Sequence, residues 1–67
     1  MVDLAKILKE RRTFLHISQE DLAEMAGVGL ATIKDIERGK ANPSMLTVSK
    51  ILDVLGMELF CSVRKTI

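Results

Sequence analysis

The stretch Ser18 to Gly39, SQEDLAEMAGVGLATIKDIERG, leaves a chain of this size few folds to choose from. Ser18 is placed to cap a helix. Asp21 follows three residues later, a variant of the capping box with Asp in place of Glu or Gln. Leu22, Ala23 and Ala26 give that helix an apolar face. Gly27 ends it, because glycine reaches φ > 0 without a Cβ penalty. A second helix starts near Gly29. Ile33, Ile36 and Glu37 fall at i, i+3 and i+4 on its inner face. Ala31, Asp35 and Arg38 point nearly the opposite way, with Lys34 at their flank, and Gly39 stops the helix.

Two short helices joined by a glycine turn, the second small and polar on its outer face, make a helix-turn-helix layout. In that layout the second helix enters a DNA major groove. Size sharpens the expectation. Sixty-seven residues make one domain, and a chain this short buries only about 60% of the surface its unfolded form exposes. One cysteine, Cys61, excludes an internal disulfide, and Cys61 with His16 cannot build a structural zinc site. A second copy of the chain is the remaining source of buried area, so a homodimer is expected. No cofactor and no small-molecule ligand are expected.

The formal net charge is only +1, modest for a nucleic-acid binder. Its distribution matters more. Glu20, Asp21 and Glu24 lie together on the first helix of the motif, whereas Lys34, Arg38 and Lys40 lie at the second helix and just beyond. No apolar run approaches the ~20 residues that span a membrane, and no signal peptide precedes the charged stretch Lys6 to Arg12, so a cytoplasmic protein is expected. There is no Gly-rich phosphate loop, no pair of carboxylates in a cleft-like context and no nucleophile–base pairing. An enzyme is therefore not expected.

The flanking segments complete an all-α domain. Val2 to Leu15 reads as a first helix, with Asp3 at its start and Leu4, Leu8 and Leu15 on one face. Ile7 and Phe14 form a second apolar line, assigned to contact with the C-terminal segment or a partner chain. His16 sits where this layout often has glycine, and a left-handed backbone is expected there. Ile17 precedes the Ser18 cap as a hydrophobic staple. The loop KANP, Lys40 to Pro43, leads to Ser44 as the cap of a fourth helix. That helix runs to about Leu55, with Met45, Val48, Ile51, Leu52 and Leu55 at core spacing, and Gly56 ends it.

Beyond it, Met57 to Lys65 alternates. Met57, Leu59, Cys61 and Val63 face one way; Glu58, Phe60, Ser62 and Arg64 face the other. This two-residue period predicts a strand. A lone strand in a helical domain leaves its backbone groups unpaired. The expected remedy is the same strand from a second subunit, paired antiparallel about a two-fold axis. Residues 1–56 thus read as the DNA-binding unit and 57–67 as the dimerising strand and tail, with Met57, Leu59, Phe60, Cys61 and Val63 in the dimer strand.

The chain resembles the lambda-repressor-like, or Xre/Cro-C1, helix-turn-helix family. The resemblance rests on Leu8 and Arg12, SQEDLA at Ser18 to Ala23, AGV at Ala26 to Val28, TIKDIERGK at Thr32 to Lys40, NPS at Asn42 to Ser44 and KILDVLG at Lys50 to Gly56. The tail KILDVLGMELFCSVRK is similar to the end of the HipB-type antitoxins, in which a short strand after the fourth helix pairs across the dimer. The family commonly pairs an arginine of the first helix with a glutamate near the end of the recognition helix, here Arg12 and Glu37. The residues agree: Glu37 lies on a buried face, and a buried carboxylate needs a partner, best a bidentate guanidinium.

These features point to a repressor that binds a pseudo-palindromic operator in duplex DNA. Leu30, Ala31, Lys34 and Asp35 are the expected base-reading residues: Lys34 donates to guanine, Asp35 accepts from cytosine, and Leu30 and Ala31 pack on thymine methyls. The family often has polar residues at positions 29 to 31, so Gly29, Leu30 and Ala31 leave more to DNA shape. Leu30 packing inward is the alternative. Gln19, Thr32, Arg38, Lys40 and Asn42 are the expected phosphate contacts. The resemblance implies an antitoxin that also binds a HipA-like kinase toxin. A stand-alone phage repressor, a restriction-modification controller, or an interaction module that has lost DNA binding are the alternatives.

Overall fold

The computed structural model describes residues 3–64. It contains four helices: α1 (Leu4–Phe14), α2 (Gln19–Ala26), α3 (Leu30–Glu37) and α4 (Met45–Val54). Three of them begin on a side-chain cap. Asp3 accepts from the Lys6 N–H at 3.1 Å, Ser18 Oγ from the Asp21 N–H at 2.9 Å, and Ser44 Oγ from the Thr47 N–H at 3.1 Å. The exception is α3, which starts on Gly29 with no side-chain cap.

All four helices end the same way. A residue with left-handed backbone is followed by an N–H that reaches back five residues: Ile17 to the Arg12 carbonyl, Val28 to Ala23, Lys40 to Asp35 and Met57 to Leu52, at 2.9–3.2 Å. This satisfies carbonyls that the helix leaves open. The left-handed residue is glycine at positions 27, 39 and 56. At the end of α1 it is His16, with φ 59°.

Leu8, Leu22, Ala23, Ala26, Ile33, Ile36, Val48, Ile51, Leu52 and Leu55 form the core. Helix α2 packs on both α3 and α4, and α1 packs on α3. Ile17 and Leu22, the two staple positions, both belong to this packed region.

Several expectations are corrected. The first helix spans Leu4–Phe14 rather than Val2 to Leu15; Leu15 is its cap, and Val2 lies outside the described residues. Met45 faces outward: it stands in the first turn of α4 and lines an open groove with Leu4, Pro43 and Leu59 instead of closing the core. Phe14 is not covered by the C-terminal segment. It is 70% exposed, with the Arg11 guanidinium 5.4 Å from its ring centre.

The strand is the main difference. Residues 57–64 form neither strand nor helix, and Lys65 lies outside the described residues. The physical reason is the one that made a lone strand suspect: extended backbone becomes a ladder only against a partner, and the described residues offer none here. Among the residues assigned to that strand, Met57 packs half-buried on the core. Leu59 and Cys61 are exposed, and Phe60 and Val63 are 80% and 96% exposed.

Candidate nucleic-acid interface

Helix α3 is only eight residues long, so its own hydrogen bonds cannot hold it. Its position comes from its inner face. Ile33 and Ile36 are buried, and Glu37 reaches an ion pair at the junction with α1. Arg12 Nε donates to Glu37 Oε2 at 2.7 Å and Nη2 to Oε1 at 2.9 Å. The remaining Arg12 arm, Nη1, donates to the Ile17 carbonyl at 2.8 Å. Gln19 Nε2 completes the group with a 3.1 Å bond to Glu37 Oε1. The two charged side chains are 12% and 4% exposed.

Burial by itself would raise the Glu37 pKa. The hydrogen bonds from Arg12 and Gln19, with the charges of Arg12 and Lys9, outweigh it and hold the carboxyl below its ordinary value. The hydrogen bonds that Arg12 donates to Glu37 raise the Arg12 pKa against an opposing desolvation. Both groups stay charged at neutral pH. They tie α1, the start of α2 and the end of α3 into one rigid unit.

The outer face of α3 is thereby fixed. Ala31, Lys34 and Arg38 are exposed and Asp35 is half-buried. With Gln19 they line an open depression of about 300 Å³. Asp35 Oδ1 accepts from Arg38 Nη2, so two of the expected contact residues are paired with each other. At the first turn of α2, the Asp21 N–H is taken by Ser18 Oγ and the Leu22 N–H by the Ser18 carbonyl. The Gln19 and Glu20 N–H groups precede that ladder and face the start of the helix.

The structure thus brings Gln19, Ala31, Lys34, Asp35 and Arg38 together. Thr32 is half-buried on α3, and Lys40 is exposed just past Gly39. Two residues stand apart. Leu30 is half-buried against the core, the inward alternative. Asn42 lines the separate groove with Leu4, Pro43 and Leu59. The sequence reading gave Arg11 and Lys9 no task. Arg11 Nε donates to the Leu55 carbonyl at 2.9 Å, closing the end of α4, and Lys9 adds its charge to the field at Glu37. No local signal marks either role, because each partner lies in another helix. Among the described residues no group of three or more His, Cys, Asp or Glu could hold a metal ion. No described helix is long and apolar enough to cross a membrane.

Known proteins share this fold. The family pattern HTH_3, a helix-turn-helix, matches residues 8–60. An HTH-type transcriptional regulator of Methanothermobacter thermautotrophicus is 38% identical over 52 residues, covering 78% of this chain and 75% of that protein. Among solved structures, the restriction-modification controller protein C.AhdI from Aeromonas hydrophila superposes with a TM-score of 0.80 at 33% identity, over 85% of this chain and 86% of that one. A chain of the SinR/SinI protein complex gives a TM-score of 0.78 at 32% identity, over 82% of this chain and 54% of that one.

Proposed function

The chain belongs to the HTH_3 helix-turn-helix family of transcriptional regulators, and we propose that it represses transcription by binding a pseudo-palindromic operator as a symmetric dimer. One observation carries this reading. The outer face of α3 has no core duty, yet its polar side chains and the start of α2 converge on one open depression. In each protomer α3 enters a major groove, and the two grooves lie about 34 Å apart on one side of the duplex.

Ala31 and Lys34 meet base edges, and the part-buried Leu30 offers only its outer edge to a thymine methyl. The Gln19 amide, Thr32, Lys40 and Asn42 hold phosphates and set register. Residues 1–56 are the DNA-binding unit and 57–67 the dimerising arm. Exposed Leu59, Phe60 and Val63 support that arm, since an apolar segment left in water is an incomplete interface. A second copy supplies the ladder that the described residues of one chain lack.

Two regulatory settings fit. The tail's similarity to HipB-type antitoxins favours a partner of HipA-like kinase type. The likeness to a restriction-modification controller, which extends over most of both chains, favours a stand-alone controller. The genes beside this one separate them: a kinase-like toxin or a restriction enzyme. The function itself is tested by selecting bound duplexes from a random pool. The expected product is an inverted repeat with half-sites about one helical turn apart. A recovered pool without symmetry, or weak and salt-insensitive binding, overturns it in favour of an interaction module.

A further inference from the structure

We propose that Asp35 is a positioning residue and that Arg38, held by it, reads guanine in each half-site. This rests on the DNA-binding reading above and deepens it.

Three observations lead there. First, the leading half of α3 offers few hydrogen-bonding groups to a base edge. Gly29 has no side chain, Leu30 packs on the core, Ala31 ends in a methyl and Thr32 is half-buried. The polar groups that face outward are Lys34, Asp35 and Arg38, farther along the helix. Second, Asp35 and Arg38 are joined, Oδ1 to Nη2, and both line the same depression as Ala31 and Lys34. Third, a bare carboxylate carried into a groove walled by phosphates is repelled. Asp35 becomes tolerable there once a cation accompanies it, and Arg38 is that cation.

The pairing also solves a problem for Arg38. A free arginine loses rotamer freedom when it docks. Arg38 is already restrained, because Asp35 takes one of its five N–H groups. The planar fork keeps the others for the O6 and N7 acceptors of one guanine, a bidentate contact that lysine cannot copy. The orientation along the helix is favourable too, with the acid three residues before the base. Asp35 is then a support and not a reader of cytosine.

The test uses the full-length protein and its selected operator. Each half-site position is replaced by the other bases, and Kd is measured for the parent, Asp35→Ala, Arg38→Ala, Arg38→Lys and the double alanine variant. Unchanged thermal melts certify folding, which the place of both side chains outside the core favours. The proposal expects Arg38→Ala to abolish a guanine preference of about tenfold or more at one position. Asp35→Ala should weaken the preference at that same position. The double variant should be no worse than Arg38→Ala alone, and Arg38→Lys should lose the preference while keeping the parent's salt slope. Relaxed discrimination at a different position in Asp35→Ala overturns it, as do additive losses. A uniform loss across all sequences in Arg38→Ala, with a flatter salt slope, also overturns it and makes Arg38 a phosphate contact. A parent protein with no sequence preference at any salt overturns the operator reading itself, and the proposal with it.

Discussion

Arg11 Nε donates to the carbonyl of Leu55, 44 residues away, at 2.9 Å, and the same guanidinium lies over the ring of Phe14. One side chain of α1 therefore closes the open end of α4. Arg11→Met keeps much of the stem and removes both the donor and the cation. The expected loss is about 1–2 kcal/mol, or a fall in Tm of roughly 4–8 °C per kcal/mol for a domain this small. A melt within a degree of the parent would show that the contact is idle.

The neighbouring Arg12 has the costlier partner. Glu37→Ala strands a buried guanidinium and should destabilise the fold by about 3–5 kcal/mol, close to the whole stability of a small domain. Replacing both members with apolar residues, Arg12→Met with Glu37→Leu, should recover most of that loss. Urea denaturation measures all three proteins. A double variant as unstable as Glu37→Ala would refute the account.

Acid should act through the same carboxyl. The folded pKa of Glu37 is lowered from its ordinary 4.5. In the unfolded chain it binds a proton more readily than in the folded one, so stability rises with pH in that range. The contribution is present above pH 4.5 and is lost as pH falls through the lower, folded value. Thermal melts from pH 7 down to pH 2 should show a shallower acid decline in Glu37→Gln than in the parent. Parallel declines would assign acid sensitivity to other carboxylates.

His16 holds a left-handed backbone, φ 59°, that glycine supplies at the ends of the other helices. A non-glycine residue there costs about 1–2 kcal/mol, part of which glycine returns through its freer unfolded chain. His16→Gly should therefore stabilise by about 0.5–1 kcal/mol, and His16→Val should destabilise, since β-branched residues tolerate positive φ poorly. Equal stability of all three in a calorimetric scan would show that the turn is not strained.

Lys40 is exposed just past Gly39, at the end of α3. As a phosphate contact it carries no sequence information. Lys40→Ala should weaken binding about equally for operator and non-operator duplexes and flatten the salt dependence by about one ion per protomer. Binding titrations across salt concentrations measure this, and equal slopes for the two proteins would remove Lys40 from the interface.

The existence and order of the helices are determined by the sequence itself, because their signals are short-range. Ser18 and Ser44 cap from three residues away, glycines stop three helices in place, and Leu22, Ile33 and Ile51 mark the inner faces by period. The need of Glu37 for a guanidinium was legible too, since a buried carboxylate demands a cation, and the family resemblance named Arg12 as the partner that the fold supplies. Only packing decided the rest. Nothing local distinguishes Arg11 from Arg12, yet one closes α4 and the other anchors α3, since rotation about α1 aims them at different helices. Packing turned Leu30 inward and set Asn42 in the groove beside Leu4. The alternating tail is the limiting case. Its pattern describes what a partner strand would accept, and the described residues hold no such partner, so residues 57–64 take neither regular form.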